Sequence, residues 1–178
     1  RWFGDSKVVD EQGRPEVLYH GSPENGIEFF DAKREGKNTG AATKDHALGG
    51  FYFTSDPNVA DTYARTIDVE MANVAEQEFG IEPKGKIPKS TTYPVYLSLK
   101  NPITLRMPVQ NSALSMARDA GHDGAILKSR GGDEYVAFEP EQIKSAIGNT
   151  GAFDASMPEI FNDLAMDTAY SRLPDGNR

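Results

Sequence analysis

The apolar residues of this chain come in short runs closed by glycine, proline or asparagine, and that spacing limits the fold more than any other feature. Gly50-Phe51-Tyr52-Phe53-Thr54, Gly124-Ala125-Ile126-Leu127-Lys128 and Glu134-Tyr135-Val136-Ala137-Phe138 have strand length and strand composition. The last two flank a Gly131-Gly132 turn. Lys7-Val8-Val9 and Val17-Leu18-Tyr19-His20 surround the turn cluster Asp10-Glu11-Gln12-Gly13-Arg14-Pro15 and read as a hairpin, with Leu18 and His20 on one face. Tyr93 to Leu99 alternates as a strand and stops at Asn101-Pro102. Ser55-Asp56-Pro57 is a helix start, with an oxygen-bearing cap and an early proline. Val59, Ala60, Tyr63 and Ala64 follow at helical spacing, which puts Tyr63 on the buried side of a helix that runs on to Phe79. Asn111 to Ala120 is a second helix, stopped at Gly121, and residues 161–178 offer a third, loose one. Six short strands and two or three helices without regular βαβ alternation predict an α+β fold. Its sheet is mainly antiparallel and open to division into two packed pieces.

The 178 residues fit one domain with a core of its own. The absence of cysteine excludes disulfides, Cys-ligated metals and a thiol nucleophile. A net charge of −8 argues against tight nonspecific nucleic-acid binding, though not against a nucleic-acid substrate held in a local groove. No apolar run reaches the ~18–20 residues of a membrane span, and no secretory signal pattern is present, so no membrane partner is expected. The initial Arg1 suggests an excised domain or a processed chain. His20, His46 and His122 lie far apart and outside any ligand spacing, which predicts no metal. Neither a G-x-S-x-G elbow nor a phosphate-loop or dinucleotide fingerprint occurs. Pro23 to Gly49 is a loop with Phe29-Phe30 as its apolar anchor, long enough to be read as functional. Gly80 to Thr92 reads as a surface connection.

Three segments, in order, resemble the NAD-binding core of the ADP-ribosyltransferases of the diphtheria-toxin and poly(ADP-ribose) polymerase type. They are Tyr19-His20-Gly21-Ser22, then Gly50-Phe51-Tyr52-Phe53-Thr54 with Tyr63 eleven residues after Tyr52, then Glu134-Tyr135-Val136-Ala137-Phe138. Together they are similar to the H-Y-E triad of that superfamily. Trp2 to Asp10, the Gly121-His122-Asp123-Gly124 turn and Phe138 to Ala146 further look like ADP-ribosyltransferase-like domains within polyproteins of phages and mobile elements. The resemblance covers residues 1–160, as a catalytic domain, and leaves 161–178 as a C-terminal extension without assigned role. It implies a split antiparallel sheet with an NAD cleft, NAD as donor substrate and no metal. Glu134, His20 and Tyr52 would be the catalytic set. His20, Gly21, Ser22, Tyr52 and Tyr63 would bind NAD.

The chemistry suits those residue types. Cleavage between the nicotinamide nitrogen and the ribose C1′ develops oxocarbenium-like charge, which a Glu134 carboxylate on the ribose 2′-OH would stabilise. Tyr52 and Tyr63 offer aromatic faces to the cationic nicotinamide ring. Gly21 offers backbone groups to the carboxamide where no Cβ intervenes, and Ser22 a hydroxyl, while His20 would hold the adenosine ribose. The bland alternatives are an ordinary hydrogen-bonded strand histidine, core tyrosines and a solvated strand-edge acid. Glu139 lies on the strand face opposite Glu134, and Pro140 separates Glu141 from that strand, so neither replaces it. Two departures stand out: Ala60 occupies a position where many polymerase-type members carry a nicotinamide-binding serine, and Glu139-Pro140-Glu141 matches the E-x-E of arginine-modifying toxins by letter only.

The expected activity is mono-ADP-ribosylation of a macromolecule by a phage or bacterial effector or toxin domain, protein being favoured over nucleic acid as acceptor. It would act in the cytoplasm of a host or target cell, delivered within a larger polypeptide. The alternatives are an NAD glycohydrolase and a non-catalytic NAD-binding or docking domain. Lys33, Arg34, Lys37 and Lys44 are candidates for a pyrophosphate or acidic partner, and Arg65 to Thr92 for an acceptor-facing region. Oligomeric state is left open.

Overall fold

The computed structural model describes residues 2–23, 26–31, 49–65, 91–110, 112–147 and 153–161. In chain order these form β1 (Leu18–Ser22), β2 (Phe51–Thr54), α1 (Pro57–Ala64), β3 (Thr91–Leu97), β4 (Ile103–Arg106), α2 (Ser112–Asp119), β5 (Gly124–Lys128), β6 (Glu134–Ala137), a 3-10 turn (Pro140–Gln142) and β7 (Ile143–Ser145). The seven strands are ordered β4-β5-β6-β2-β1-β3-β7. Every neighbouring pair is antiparallel except β4–β5. This is an α+β fold, as the run lengths predict. The division of the sheet takes a specific form: β1 and β2 share the single pair Tyr19↔Thr54, whereas β1 meets β3 over five pairs and β2 meets β6 over four. Two well-paired half-sheets are joined at one point.

Alternation along the strands sorts the core into two faces. Leu18, Phe51, Phe53, Val95, Leu97 and Ile143 pack into one buried cluster, with Val8, Phe30 and Ile160 delivered by segments outside the sheet. Ala125, Leu127, Val136 and Phe138 form a second, closed by Leu114 and Ala117 of α2, with Tyr52 packed partly against it. α1 begins where expected. Asp56 is the N-cap, its Oδ1 accepting from the Asn58 N–H at 2.8 Å, and Pro57 opens the helix. Arg65 is already extended, so α1 ends at Ala64, and the expected continuation over residues 66–79 lies outside the described residues.

Three strand expectations change. Lys7 to Val9 does not pair with β1: the Lys7 N–H donates to the Leu99 carbonyl, and the turn closes short of β1, through the Val9↔Pro15 bridge with the Asp10 N–H donating to the Arg14 carbonyl and the Glu16 N–H to the Val8 carbonyl. The turn itself is the predicted one: Gly13 has φ +75° and the Asp10 carboxylate accepts from the N–H groups of Gln12 and Arg14. β4 and β7 lie outside the sequence expectation. Ile103-Thr104-Leu105-Arg106 does alternate, but it is only four residues long between Pro102 and Pro108, and the sequence alone assigns it to no element. β7 has only three residues, with Lys144 at its centre.

Candidate active site

The parting of the sheet between β1 and β2 is where the sequence-selected residues gather. Beyond Tyr19, the residues His20, Gly21 and Ser22 keep their β3 partners Tyr93, Thr92 and Thr91 but face no residue of β2. One side chain spans the opening: His20 Nδ1 lies 2.9 Å from the Tyr52 carbonyl oxygen. A carbonyl only accepts, so Nδ1 carries the hydrogen, and in the neutral ring Nε2 is left as an acceptor. Burial among aromatic rings lowers the His20 pKa, and the bond to Tyr52 only partly opposes this. Phe30 meets the imidazole edge-on at 4.9 Å between centroids, and Phe53 lies at 5.5 Å. His20 is therefore a neutral imidazole of defined tautomer, suited to receive a ligand O–H.

Tyr52 is opposite Val136, and Thr54 is opposite Glu134, so Tyr52, Thr54 and Glu134 share one face of the β2–β6 pair. His20 belongs to the other face, with Phe53. The structure thus links the two sides through the Tyr52 backbone rather than through a direct side-chain contact. Glu134 begins β6 half-buried, and dehydration raises its pKa. Among the described residues nothing hydrogen-bonds its carboxylate. Glu139 is exposed at the start of the 3-10 turn, past the strand end that Pro140 enforces.

Tyr63 differs from its expected position: it is 52% exposed, not buried. α1 packs through its smallest residues, Ala60 and Ala64, which are 1% and 0% exposed. They sit one turn apart on the face toward β1, and Tyr63 falls beside that face. Its phenol is nonetheless partly dehydrated and lies in the field of the Glu134 carboxylate, both of which raise its pKa.

The packing of α1 on β1 by itself requires glycine at position 21. A Cβ there would come within 1.7 Å of the Ala60 carbonyl oxygen and 2.8 Å of the Ala64 nitrogen. The space a side chain would need is filled by the backbone of α1. Ala60 is part of the same contact, which explains a small residue at that position. Ser22 is buried, at 2% exposure.

The remaining candidates divide clearly. His122 belongs to the turn before β5, its Nδ1–H donating to the Asn101 carbonyl at 3.0 Å, beside an Asp123 carboxylate that accepts from the N–H groups of Lys100 and Asn101. His46, Lys33, Arg34, Lys37, Lys44 and residues 66–90 lie outside the described residues. Among the described residues no group of three or more His, Asp or Glu side chains is placed to hold a metal ion, and no helix is long and apolar enough to cross a membrane. Phe30 is the site neighbour whose role the sequence did not reveal; its only signal was an aromatic doublet in a polar loop.

No curated protein matches the chain. The family model described as ADP-ribosyltransferase in polyvalent proteins matches residues 10–117 and 106–153, two overlapping segments that contain every residue of the site above. On that match and the split α+β sheet that accompanies it, the chain belongs to the ADP-ribosyltransferases of polyvalent proteins.

Proposed function

We propose that this domain transfers a single ADP-ribose from NAD to a macromolecular acceptor with release of nicotinamide. The family supports ADP-ribosyl transfer in general and NAD as donor. The observation that carries the residue assignment is the Glu134 carboxylate, partly dehydrated, without a hydrogen-bond partner among the described residues, on the same sheet face as Tyr52 and with its charge felt by the Tyr63 phenol. In this reading the bond between C1′ and the nicotinamide nitrogen breaks, and its electron pair neutralises the pyridinium. Glu134 accepts the ribose 2′-OH and stabilises the charge that grows on the sugar. Partial exclusion of water strengthens that interaction. The two tyrosine faces receive the nicotinamide ring, and Nε2 of His20 accepts a hydroxyl of the adenosine ribose. The acceptor atom closes the new bond to C1′ and loses its proton. Backbone groups of Gly21 and the Ser22 hydroxyl are assigned to the carboxamide. A protein acceptor is favoured by the net charge of −8, which disfavours a polyanionic one. The proposed setting is an effector carried within a phage or mobile-element polyprotein and active in the cytoplasm of the target cell.

Incubation of the full chain with NAD labelled in the adenosine half, plus cell lysate, tests the reading. Nicotinamide release with label fixed to protein supports it. Release without fixation replaces it with NAD hydrolysis, and no release that depends on Glu134 removes the enzymatic assignment.

A further inference from the structure

Residues beyond the family match take part in the core. The match ends at residue 153, yet Ile160 is 1% exposed and packs into the cluster on the His20 side of the sheet. Residues 157–160 run as a strap between the outer edge of the sheet and the segment that carries Phe30. On the sheet side, the Ser145 N–H donates to the Ile160 carbonyl at 2.7 Å, and Lys144 Nζ donates to the carbonyls of Met157 at 2.5 Å and Glu159 at 2.7 Å. On the other side, the Ile160 N–H donates to the Glu28 carbonyl at 2.8 Å, and Phe29 bridges to Glu159. Phe30 follows directly. It is buried, meets the His20 imidazole edge-on at 4.9 Å, and packs T-shaped on Phe51 and Phe53 at 5.4 and 5.6 Å.

Lys144 is an unusual residue for this place. An edge-strand lysine ordinarily snorkels to water, but this one is 2% exposed. Burial lowers its pKa, and the nearby charges of Glu159, Asp154 and Glu141 oppose that shift. A buried ammonium is tolerated only when its donors are met, and here two of them go to the strap's carbonyls.

We propose that Lys144 and the strap of residues 157–160 form a positioning device for the His20 imidazole, acting through Phe30. Three contacts define the ring: the Tyr52 carbonyl fixes its Nδ1 edge, Phe53 lies tilted beside it at 5.5 Å, and Phe30 stands edge-on against it at 4.9 Å. Without Phe30 in place the ring can turn about its broad second torsion, and Nε2 loses its fixed direction. Lys144 and Phe30 are positioning residues, remote from the reacting atoms. The consequence for NAD rests on the reading of His20 as an NAD contact; the effect on the imidazole does not.

The test uses the full chain with Lys144→Met, which keeps an apolar stem and removes the donors, and with Phe30→Leu, which acts at the far end and leaves the strap's hydrogen bonds to Lys144 and Ser145 in place. Imidazole nitrogen–proton correlation spectra of the ligand-free protein report the His20 tautomer and its titration, and calorimetry reports NAD affinity. Both variants should shift His20 toward a mixture of tautomers and toward an ordinary histidine pKa. NAD should bind roughly tenfold more weakly, as for a contact group displaced by less than an ångström, with turnover of bound NAD little changed. Phe30→Leu carries the test should Lys144→Met fail to fold. A folded variant whose His20 spectrum matches the parent overturns the proposal. A shifted spectrum with unchanged NAD affinity upholds the positioning device and instead removes His20 from the NAD site.

Discussion

Replacing Glu134 by Gln isolates the one charge on which the proposed chemistry turns. The swap is isosteric, so the Thr54 and Leu127 pairings on either side of β6 persist. Among the described residues no hydrogen bond or ion pair to the carboxylate is lost. The native pKa of Glu134 is raised by burial, so ionisation works against folding once pH exceeds the unfolded value. That penalty is absent in acid and grows as pH climbs through the native pKa. Glu134→Gln should therefore fold at least as well as the parent at neutral pH. Its effect on rate is another matter. Loss of one preorganised group facing developing charge costs about two to three orders of magnitude, or roughly 2.7–4 kcal/mol of barrier. Nicotinamide release measured at saturating NAD gives this ratio directly, and NAD affinity measured alongside should change little. The pH profile adds an independent check. The working form is the carboxylate, so the parent's rate rises with pH through the Glu134 pKa, and the acid limb is displaced upward from that of a solvated glutamate. In Glu134→Gln that limb should vanish. A variant within a factor of about three of the parent rate, far inside the loss expected for such a group, would refute the assignment, as would an acid limb that survives the substitution.

Gly21→Ala places a methyl 1.7 Å from the Ala60 carbonyl oxygen, and only separation of α1 from β1 relieves it. A loss of about 3 kcal/mol or more is expected in denaturant unfolding, at or beyond the upper end for overpacking, and a change under ~1 kcal/mol would show that α1 is not seated there. Tyr63→Ala should leave stability within about 0.5 kcal/mol, as for an exposed side chain, while weakening NAD binding; a large drop in melting temperature with unchanged affinity would return Tyr63 to the core. His20 should remain neutral at pH 7 with its hydrogen on Nδ1, and titrate below about 6.5. Since folding disfavours its charged form, its contribution to stability is complete above the unfolded pKa and declines as pH falls below it. An imidazole hydrogen on Nε2 would contradict the bond to Tyr52.

Local chemistry explains why much of this protein was readable along the chain. Asp56-Pro57 announces α1 because a side-chain cap and a preset proline φ act within one turn. Gly121 ends α2, and Gly13 makes its turn, for equally local reasons. The strand bearing Glu134 and the strand bearing Tyr52 are recognisable because aromatic and β-branched runs bounded by turn formers have little else to become. The separation of Glu134 from Glu139 follows from period-2 alternation and from Pro140. These readings need only near neighbours, and the proposed site residues come from such local motifs.

Tertiary structure decided everything that depends on partners distant in sequence. Lys7 to Val9 has strand composition, but its backbone is shared between Leu99 and the turn residues Pro15 and Glu16, and none of it pairs with β1. Lys144 reads as a surface residue until the strap of residues 157–160 covers it. Tyr63 has the helical spacing of a core residue, yet the helix sits so close to Gly21 that only alanines fit between them, and the phenol is left half exposed. The parting of the sheet at Tyr19↔Thr54 is likewise beyond local reading. Where two strands stop pairing depends on what each pairs with on its other edge, and those partners, β3 for one and β6 for the other, lie far along the chain. Sequence chemistry selected the groups; the divergence of the two half-sheets decided which of them meet.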